Sequence, residues 1–235
     1  MALALAVFVL LTRISAPYGR HGRPGWGPTI PAGVAWCAME VVTLVGFGAC
    51  WALGDETSGV SWLLFLMYAG HYVYRSGIYP WLSAPSAAPV PASVVGLAML
   101  FNAFNSTILG GWLFVVGVPH NIQLPNLGAG FAVFVVGFVI HVRSDAMLRA
   151  LRRDRGPGYH IPNGFLYRWV SCPNYLGEII QWCGFALAMN ALAGWTFVCW
   201  TIANLLPRAL RHHQWYREQF DSYPESRRAI VPGIL

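Results

Sequence analysis

Residues 171–235 read SCPNYLGEIIQWCGFALAMNALAGWTFVCWTIANLLPRALRHHQWYREQFDSYPESRRAIVPGIL, and the rest of the chain is read from this stretch. Two apolar segments lie inside it, at about 175–192 and 194–211. Asn174, Glu178, Asn204, His212, His213 and Tyr216 sit in or against them. Ionisable and polar side chains at membrane depth are expensive and mark ligand or ion sites by default. The stretch therefore predicts two membrane-crossing helices arranged around a polar site.

Composition agrees. The 235 residues are 56% hydrophobic and only 10% charged, with a mean hydropathy of +0.50. A soluble domain carries about 25% charged residues, so the expected class is an all-α, polytopic integral membrane protein. All 15 basic residues are arginine, a usage typical of a GC-rich bacterial genome. The expected location is thus a bacterial inner membrane, or the endoplasmic reticulum if the source is eukaryotic. The net charge of +6 is a matter of topology rather than of nucleic-acid binding. Cys37, Cys50, Cys172, Cys183 and Cys199 form no CxxC pair and read as small core residues.

Further apolar segments precede the two already quoted. Residues 1–14 have no basic flank ahead of the apolar run and read as a short first span rather than a signal peptide. A Gly/Pro/Arg-rich loop leads to a second span at 31–53, and Asp55–Glu56 mark an acidic turn. The third runs from about 60 to 82, the fourth from about 93 to 117 after a Pro/Ser/Ala hinge, and VPHNIQLPN forms a turn. The fifth, about 127–142, continues as the helix HVRSDAMLRALRR until RDRGPGYHIPNG breaks it. The total is seven spans. Arg13, Arg20 and Arg23, the six arginines from Arg143 to Arg168 and the five from Arg208 onward then share one side, and the opposite loops hold none. The positive-inside rule puts the N-terminus outside and the C-terminus in the cytoplasm.

Several polar groups lie within these spans. Glu40 sits mid-span without a cation nearby in sequence, so it is expected to be protonated or paired across helices. A neutral carboxylic acid can donate a hydrogen bond to a carbonyl oxygen, whereas a plain helix–helix hydrogen bond is the structural alternative. Tyr72, Arg75 and Tyr79 share a face at α-helical spacing. A tyrosine suits a ketone and an arginine a phosphate; an interfacial aromatic belt is the plainer reading of the tyrosines. Asp145, Arg149 and Arg152 face one way and, with Arg143 and Arg153, could clamp a diphosphate or attract anionic lipid. Asn174 and Glu178, and His212 and Tyr216, each stand one turn apart and describe a pocket open to the cytosol. Adjacent histidines diverge on a helix and no HExxH spacing occurs, so no metal is expected. No GxGxxG or P-loop pattern is present, and any nucleotide is bound without those elements.

The run SCPNYLGEIIQWCGFALA, followed by NLLPRALRHHQWYREQFDSYPESRRAIVPGIL, resembles the C-terminal domain of the steroid 5α-reductases (3-oxo-5α-steroid 4-dehydrogenases). The likeness extends through HVRSDAMLRALR, YHIPNGFLYRWVS and GHYVYRSGIYP, and more thinly through PAGVAWCAME and PYGRH. It implies a single seven-helix membrane domain over 1–235, with substrate-side helices over about 1–125 and cofactor-binding helices over about 126–235. The implied activity is NADPH-dependent reduction of the Δ4 double bond of a 3-oxo-Δ4-steroid, with membrane lipid as surroundings and no required protein partner. The resemblance makes Glu40 and Tyr72 the pair that binds the 3-keto oxygen. It assigns Tyr18, Arg75, Tyr79, His141, Asp145, Arg152, Asn174, Glu178, Trp182, His212 and Tyr216 to the cofactor, and Trp36 and Leu205 to the substrate cavity.

The sequence departs from the family pattern in places. Leu82-Ser83-Ala84-Pro85 stands where arginines are common, His141 replaces an asparagine, His160 an arginine and Met39 a glutamine. An isoprenylcysteine-type methyltransferase using S-adenosylmethionine is the rival enzyme, though it needs no Glu40 and Tyr72 deep in the membrane. A small lipid transporter or binding protein, with Glu40 in proton coupling, would show internal repeats, and the sequence has none.

Overall fold

The computed structural model describes residues 2–55, 58–83, 88–117, 122–156 and 158–235. Glu56 of the expected acidic turn, Ala84 and Pro85, and residues 118–121 of the expected turn lie outside them. Most of the described chain is helix. The elements are α1 (Ala2–Arg13), α2 (Ala32–Leu53), α3 (Gly59–Val73), α4 (Tyr79–Ser83), α5 (Ala92–Gly110), α6 (Leu124–Arg155), α7 (Pro173–Met189) and α8 (Leu192–Gln219). Two short strands, β1 (Thr29–Ile30) and β2 (Val90–Pro91), pair antiparallel.

Helix ends follow local chemistry. The Ser58 side chain accepts from the Ser61 N–H and caps α3. Asn190, at φ 50°, closes α7 in the left-handed conformation that asparagine tolerates. One interior break is not visible in the hydrophobic pattern. Between α3 and α4, Tyr74–Ile78 form a π-turn, with the Tyr79 N–H bonded to the Tyr74 carbonyl. Pro80 follows at once; it has no N–H for residue 76 and its ring crowds that carbonyl, so the chain widens its turn there. A second π-turn, Gly111–Val115, extends α5.

Three stretches are long and apolar enough to cross a membrane by length and composition: Ala32–Leu53, Ala92–Val115 and Leu124–Arg155. Helix α1 is apolar but shorter. Helix α7 has 17 residues, and α8 turns polar in its distal half.

The chain forms two compact units. One comprises residues 16–131 and 185–194, the other residues 1–15, 132–184 and 195–235. In the first, α2 and α5 cross closely at small residues: a Cβ on Gly110 would lie 2.8 Å from Cys50 Cβ, and one on Gly46 would overlap Ser106 Oγ. The Asn102 amide donates to the Met39 carbonyl at 2.7 Å. Phe47 stacks on Tyr68 with centroids 3.9 Å apart and meets Phe114 edge-on. The β1–β2 pair ties the first loop to the start of α5, where Ser93 Oγ donates to the Trp26 carbonyl at 2.6 Å.

In the second unit, α6 and α7 touch backbone to backbone. A Cβ on Gly177 would lie 2.5 Å from the His141 N and 2.8 Å from the Gly137 carbonyl oxygen; one on Gly137 would overlap the Gln181 N. Small residues allow such an approach where polar side chains must meet across helices. The C-terminal tail folds back along residues 169–172. Val170 and Arg228 form a parallel bridge, and the Ser171 N–H donates to the Arg228 carbonyl at 2.8 Å. Ser171 Oγ lies 2.7 Å from His213 Nδ1 and 2.6 Å from the Tyr223 hydroxyl. Arg227 donates to Asn163 Oδ1 at 2.6 Å and covers the Tyr223 ring. Burial, then Arg217 and Arg228, lower the pKa of His213; burial raises that of the Tyr223 phenol, against the hydrogen bonds from Ser171 and Arg227.

Two outcomes follow from these contacts. Gly177→Val is expected to cost about 1–3 kcal/mol by overpacking, read as a fall of several degrees in melting temperature in detergent; an unchanged temperature contradicts the α6–α7 contact. His213 has a folded pKa below its ordinary value of 6.5, so the unfolded chain takes up that proton first as pH falls. Its contribution is complete above 6.5 and is lost below it. The wild-type melting temperature should therefore fall more steeply than that of His213→Gln between about pH 7 and pH 5, and equal slopes contradict the burial of His213 against Ser171.

Candidate active site

The residues singled out in the sequence fall into two groups, one within each unit. In the first unit, Trp36 and Glu40 stand one turn apart on α2, and Glu40 is buried. Arg75 Nη2 donates to Glu40 Oε1 at 3.2 Å, with both side chains only 12% exposed. The cation that sequence proximity does not supply comes from 35 residues away. The Arg75 guanidinium lies 5.0 Å from the Trp36 ring centroid and 4.9 Å from that of Tyr79, and so has an aromatic face on two sides. Trp36 meets Tyr79 edge-on at 6.4 Å and Tyr18 edge-on at 6.0 Å. Tyr18, Trp36, Glu40, Arg75 and Tyr79 are thus one connected cluster.

Tyr72 is buried on α3, its ring 4.7 Å from Tyr68 and 4.9 Å from His71. Tyr68 was not foreseen. It is fully buried one turn before Tyr72, with the side chains of Tyr72 and Asn105 beside its hydroxyl and Glu40 close enough to act on it electrostatically. The i,i+4 spacing to Tyr72 was the available signal. The π-turn also alters the expected geometry, because Tyr72, Arg75 and Tyr79 do not lie on one continuous α-helical face. Ser76 Oγ, inside the turn, donates back to the Tyr72 carbonyl at 2.7 Å.

In the second unit, α6 and α7 bring His141, Asp145, Asn174 and Glu178 together. His141 Nε2 is 3.5 Å from Asp145 Oδ2, and its Nδ1 is 3.7 Å from Glu178 Oε2 and 3.2 Å from the Asn174 carbonyl. The Asn174 amide donates to Asp145 Oδ1 at 3.1 Å. The histidine that departs from the family pattern therefore lies between two carboxylates. His212, on α8, lies 3.8 Å from Cys172 Sγ through Nδ1, and its ring is 5.7 Å from that of Tyr175. Tyr216 stacks on Tyr223 at 5.2 Å, and its hydroxyl reaches the His160 carbonyl at 3.5 Å.

Other residues are placed differently from the polar groups. Trp182 packs in an aromatic core against Phe134 and Phe197. Leu205 is half-buried on α8. Arg152 is half-buried near the end of α6, whereas Arg153 pairs with Asp154 in solvent and Arg143 covers the Phe165 ring. Of the arginines expected to form a diphosphate clamp, those two are turned to other partners. His160 Nε2 faces the Gly156 carbonyl at 3.4 Å.

Comparison with known proteins bears directly on this arrangement. Residues 88–235 match the family model described as 3-oxo-5-alpha-steroid 4-dehydrogenase. The chain is 38% identical over 242 residues to 3-oxo-5-alpha-steroid 4-dehydrogenase 1 of Rattus norvegicus, covering 99% of this chain and 92% of the relative. It is 38% identical over 242 residues to steroid 5-alpha-reductase DET2 of Gossypium hirsutum, covering 99% and 93%. The bovine 3-oxo-5-alpha-steroid 4-dehydrogenase 1 is 34% identical over 241 residues, covering 100% of this chain and 93% of the relative. A polar site divided between helices, and a likeness that runs from end to end, lead to one assignment: the chain belongs to the 3-oxo-5-alpha-steroid 4-dehydrogenase family, the steroid 5-alpha-reductases.

Proposed function

We propose that the protein reduces the Δ4 double bond of 3-oxo-Δ4-steroids to give 5α-3-oxosteroids, with Glu40 and Tyr72 binding the 3-keto oxygen. Family membership supports the reaction class. The observation that carries the residue roles is the burial of a carboxyl, Glu40, and a phenol, Tyr72, in one aromatic-walled unit, with Tyr72 packed against the fully buried Tyr68. A buried acid and phenol in such surroundings are paired or hydrogen-bonded, or else they serve a ligand.

The chemistry follows from the enone. Hydrogen bonds from Tyr72 and a protonated Glu40 to the keto oxygen withdraw density through the conjugated system and leave C5 electrophilic. Hydride addition at C5 moves negative charge onto that oxygen as an enolate, and the enolate is then protonated at C4. Donors already aimed at the oxygen in a site of low dielectric stabilise that charge without reorganising during the reaction. Trp36 would supply apolar wall.

A nicotinamide cofactor fits the second unit. Asp145 Oδ2 is buried with no hydrogen-bond partner among the described residues, and the His141 imidazole lies 3.5 Å away. An acceptor in that state suits the hydroxyl and carboxamide donors of such a cofactor. We assign His141, Asp145, Asn174 and Glu178 to those polar groups, and Arg152 to a phosphate of NADPH. His212 and Tyr216 would line the remainder, and Trp182 would support them from the core. The bound cofactor supplies the hydride. Seven spans, with the N-terminus outside and the C-terminus cytoplasmic, are the topology that the arginine distribution favours.

The purified protein in detergent should oxidise NADPH only when a 3-oxo-Δ4-steroid is present. No turnover across several such enones, with tight S-adenosylmethionine binding instead, would contradict the reading. Glu40→Gln and Tyr72→Phe should each lower kcat about 10²- to 10³-fold while leaving the Kd for NADPH within about twofold. Asp145→Asn should raise that Kd by roughly tenfold, as expected for a hydrogen bond to a charged group; an unchanged Kd removes Asp145 from the cofactor set.

A further inference from the structure

Arg75 was expected to serve the cofactor, but its surroundings point elsewhere. Its Nη2 is given to Glu40 Oε1, and the rings of Trp36 and Tyr79 lie within 5.0 Å of the guanidinium carbon. Planar guanidinium groups stack on aromatic rings and hold carboxylates in fixed orientations, which makes them rigid supports for an acid. The π-turn adds a second, independent observation. Tyr74–Ile78 interrupt the helix at the residue that must reach α2, and Ser76 Oγ ties the turn to the Tyr72 carbonyl. The turn therefore carries the arginine that holds Glu40 and is bonded to the carbonyl of Tyr72 just before it.

We infer that Arg75 is a positioning residue for carbonyl activation, acting through Glu40 rather than holding the cofactor. The inference rests on the reductase reading above. Engaging Oε1 fixes the rotamer and plane of the Glu40 carboxyl, and with them the direction of its second oxygen. The guanidinium also keeps a positive charge one carboxyl group away from the keto oxygen, where negative charge develops as the enolate forms. In apolar surroundings a fixed charge at that distance counts for more than it would in water.

The test is a double-mutant cycle in the purified full-length protein, with kcat and the NADPH Kd measured separately. Arg75→Gln should lower kcat about tenfold to a hundredfold with the Kd for NADPH within about twofold of wild type. Arg75→Lys keeps the charge but loses the planar fork, and should lie between the two. Arg75→Gln added to Glu40→Gln should change kcat by less than about threefold, because a residue that acts through Glu40 has nothing left to act on. A rise of tenfold or more in the NADPH Kd, or kcat losses that multiply in the double variant, would overturn the inference while leaving the reductase reading intact. A wild-type protein that turns over no enone overturns both. Binding of NADPH at the wild-type Kd shows that a variant is folded; if Arg75→Gln does not fold, Arg75→Lys is read by the same two constants.

Discussion

A carboxyl group and a guanidinium meet between apolar helices, and much of the first unit is arranged around that meeting. A guanidinium left without an acceptor between apolar helices is costly, and the Glu40 carboxyl oxygen supplies one for Arg75. The chain brings the two together by widening the helix at Tyr74–Ile78 and by bracketing the guanidinium between Trp36 and Tyr79. The close α2–α5 crossing at Gly46 and Gly110, with Asn102 bonded to the Met39 carbonyl, fixes the helix that carries the carboxyl. Position and charge come from the same contacts.

The second unit meets the same constraint in another way. Asp145 and Glu178 flank His141, and Asn174 links its carbonyl to the imidazole and its amide to Asp145. These distances exist because α6 and α7 approach at Gly137 and Gly177, where a single methyl group would collide with backbone. The tail beyond α8 is held by Ser171, His213 and Tyr223, and Tyr223 in turn stacks on Tyr216. Residues outside the assigned cofactor set thus fix those within it.

Much of this could be read from residues alone. Hydropathy and breakers located most helices to within a few residues, because apolar runs bounded by Gly, Pro and Arg leave little choice in a membrane; α8, however, continues to Gln219, well past the expected end near 211. Asn174 and Glu178, one turn apart, predicted a shared face, and a helix supplied it. What could not be read depends on contacts distant in sequence. No local pattern places Arg75 on Glu40 or His213 on Ser171. The π-turn was hidden because i, i+3 and i+7 spacing assumes an unbroken α-helix, although Pro80 marked the place. Tyr68 does not stand out among the many aromatics, since spacing does not show which tyrosine is fully buried.

The central claim is that this chain directs hydride to C5 of a 3-oxo-Δ4-steroid. The most direct measurement uses NADPH dideuterated at C4 of the nicotinamide, with product analysis by NMR and mass spectrometry. The account predicts one deuterium per product molecule, located at C5 on the α face. Deuterium at any other carbon, or its absence from the reduced product, would contradict it.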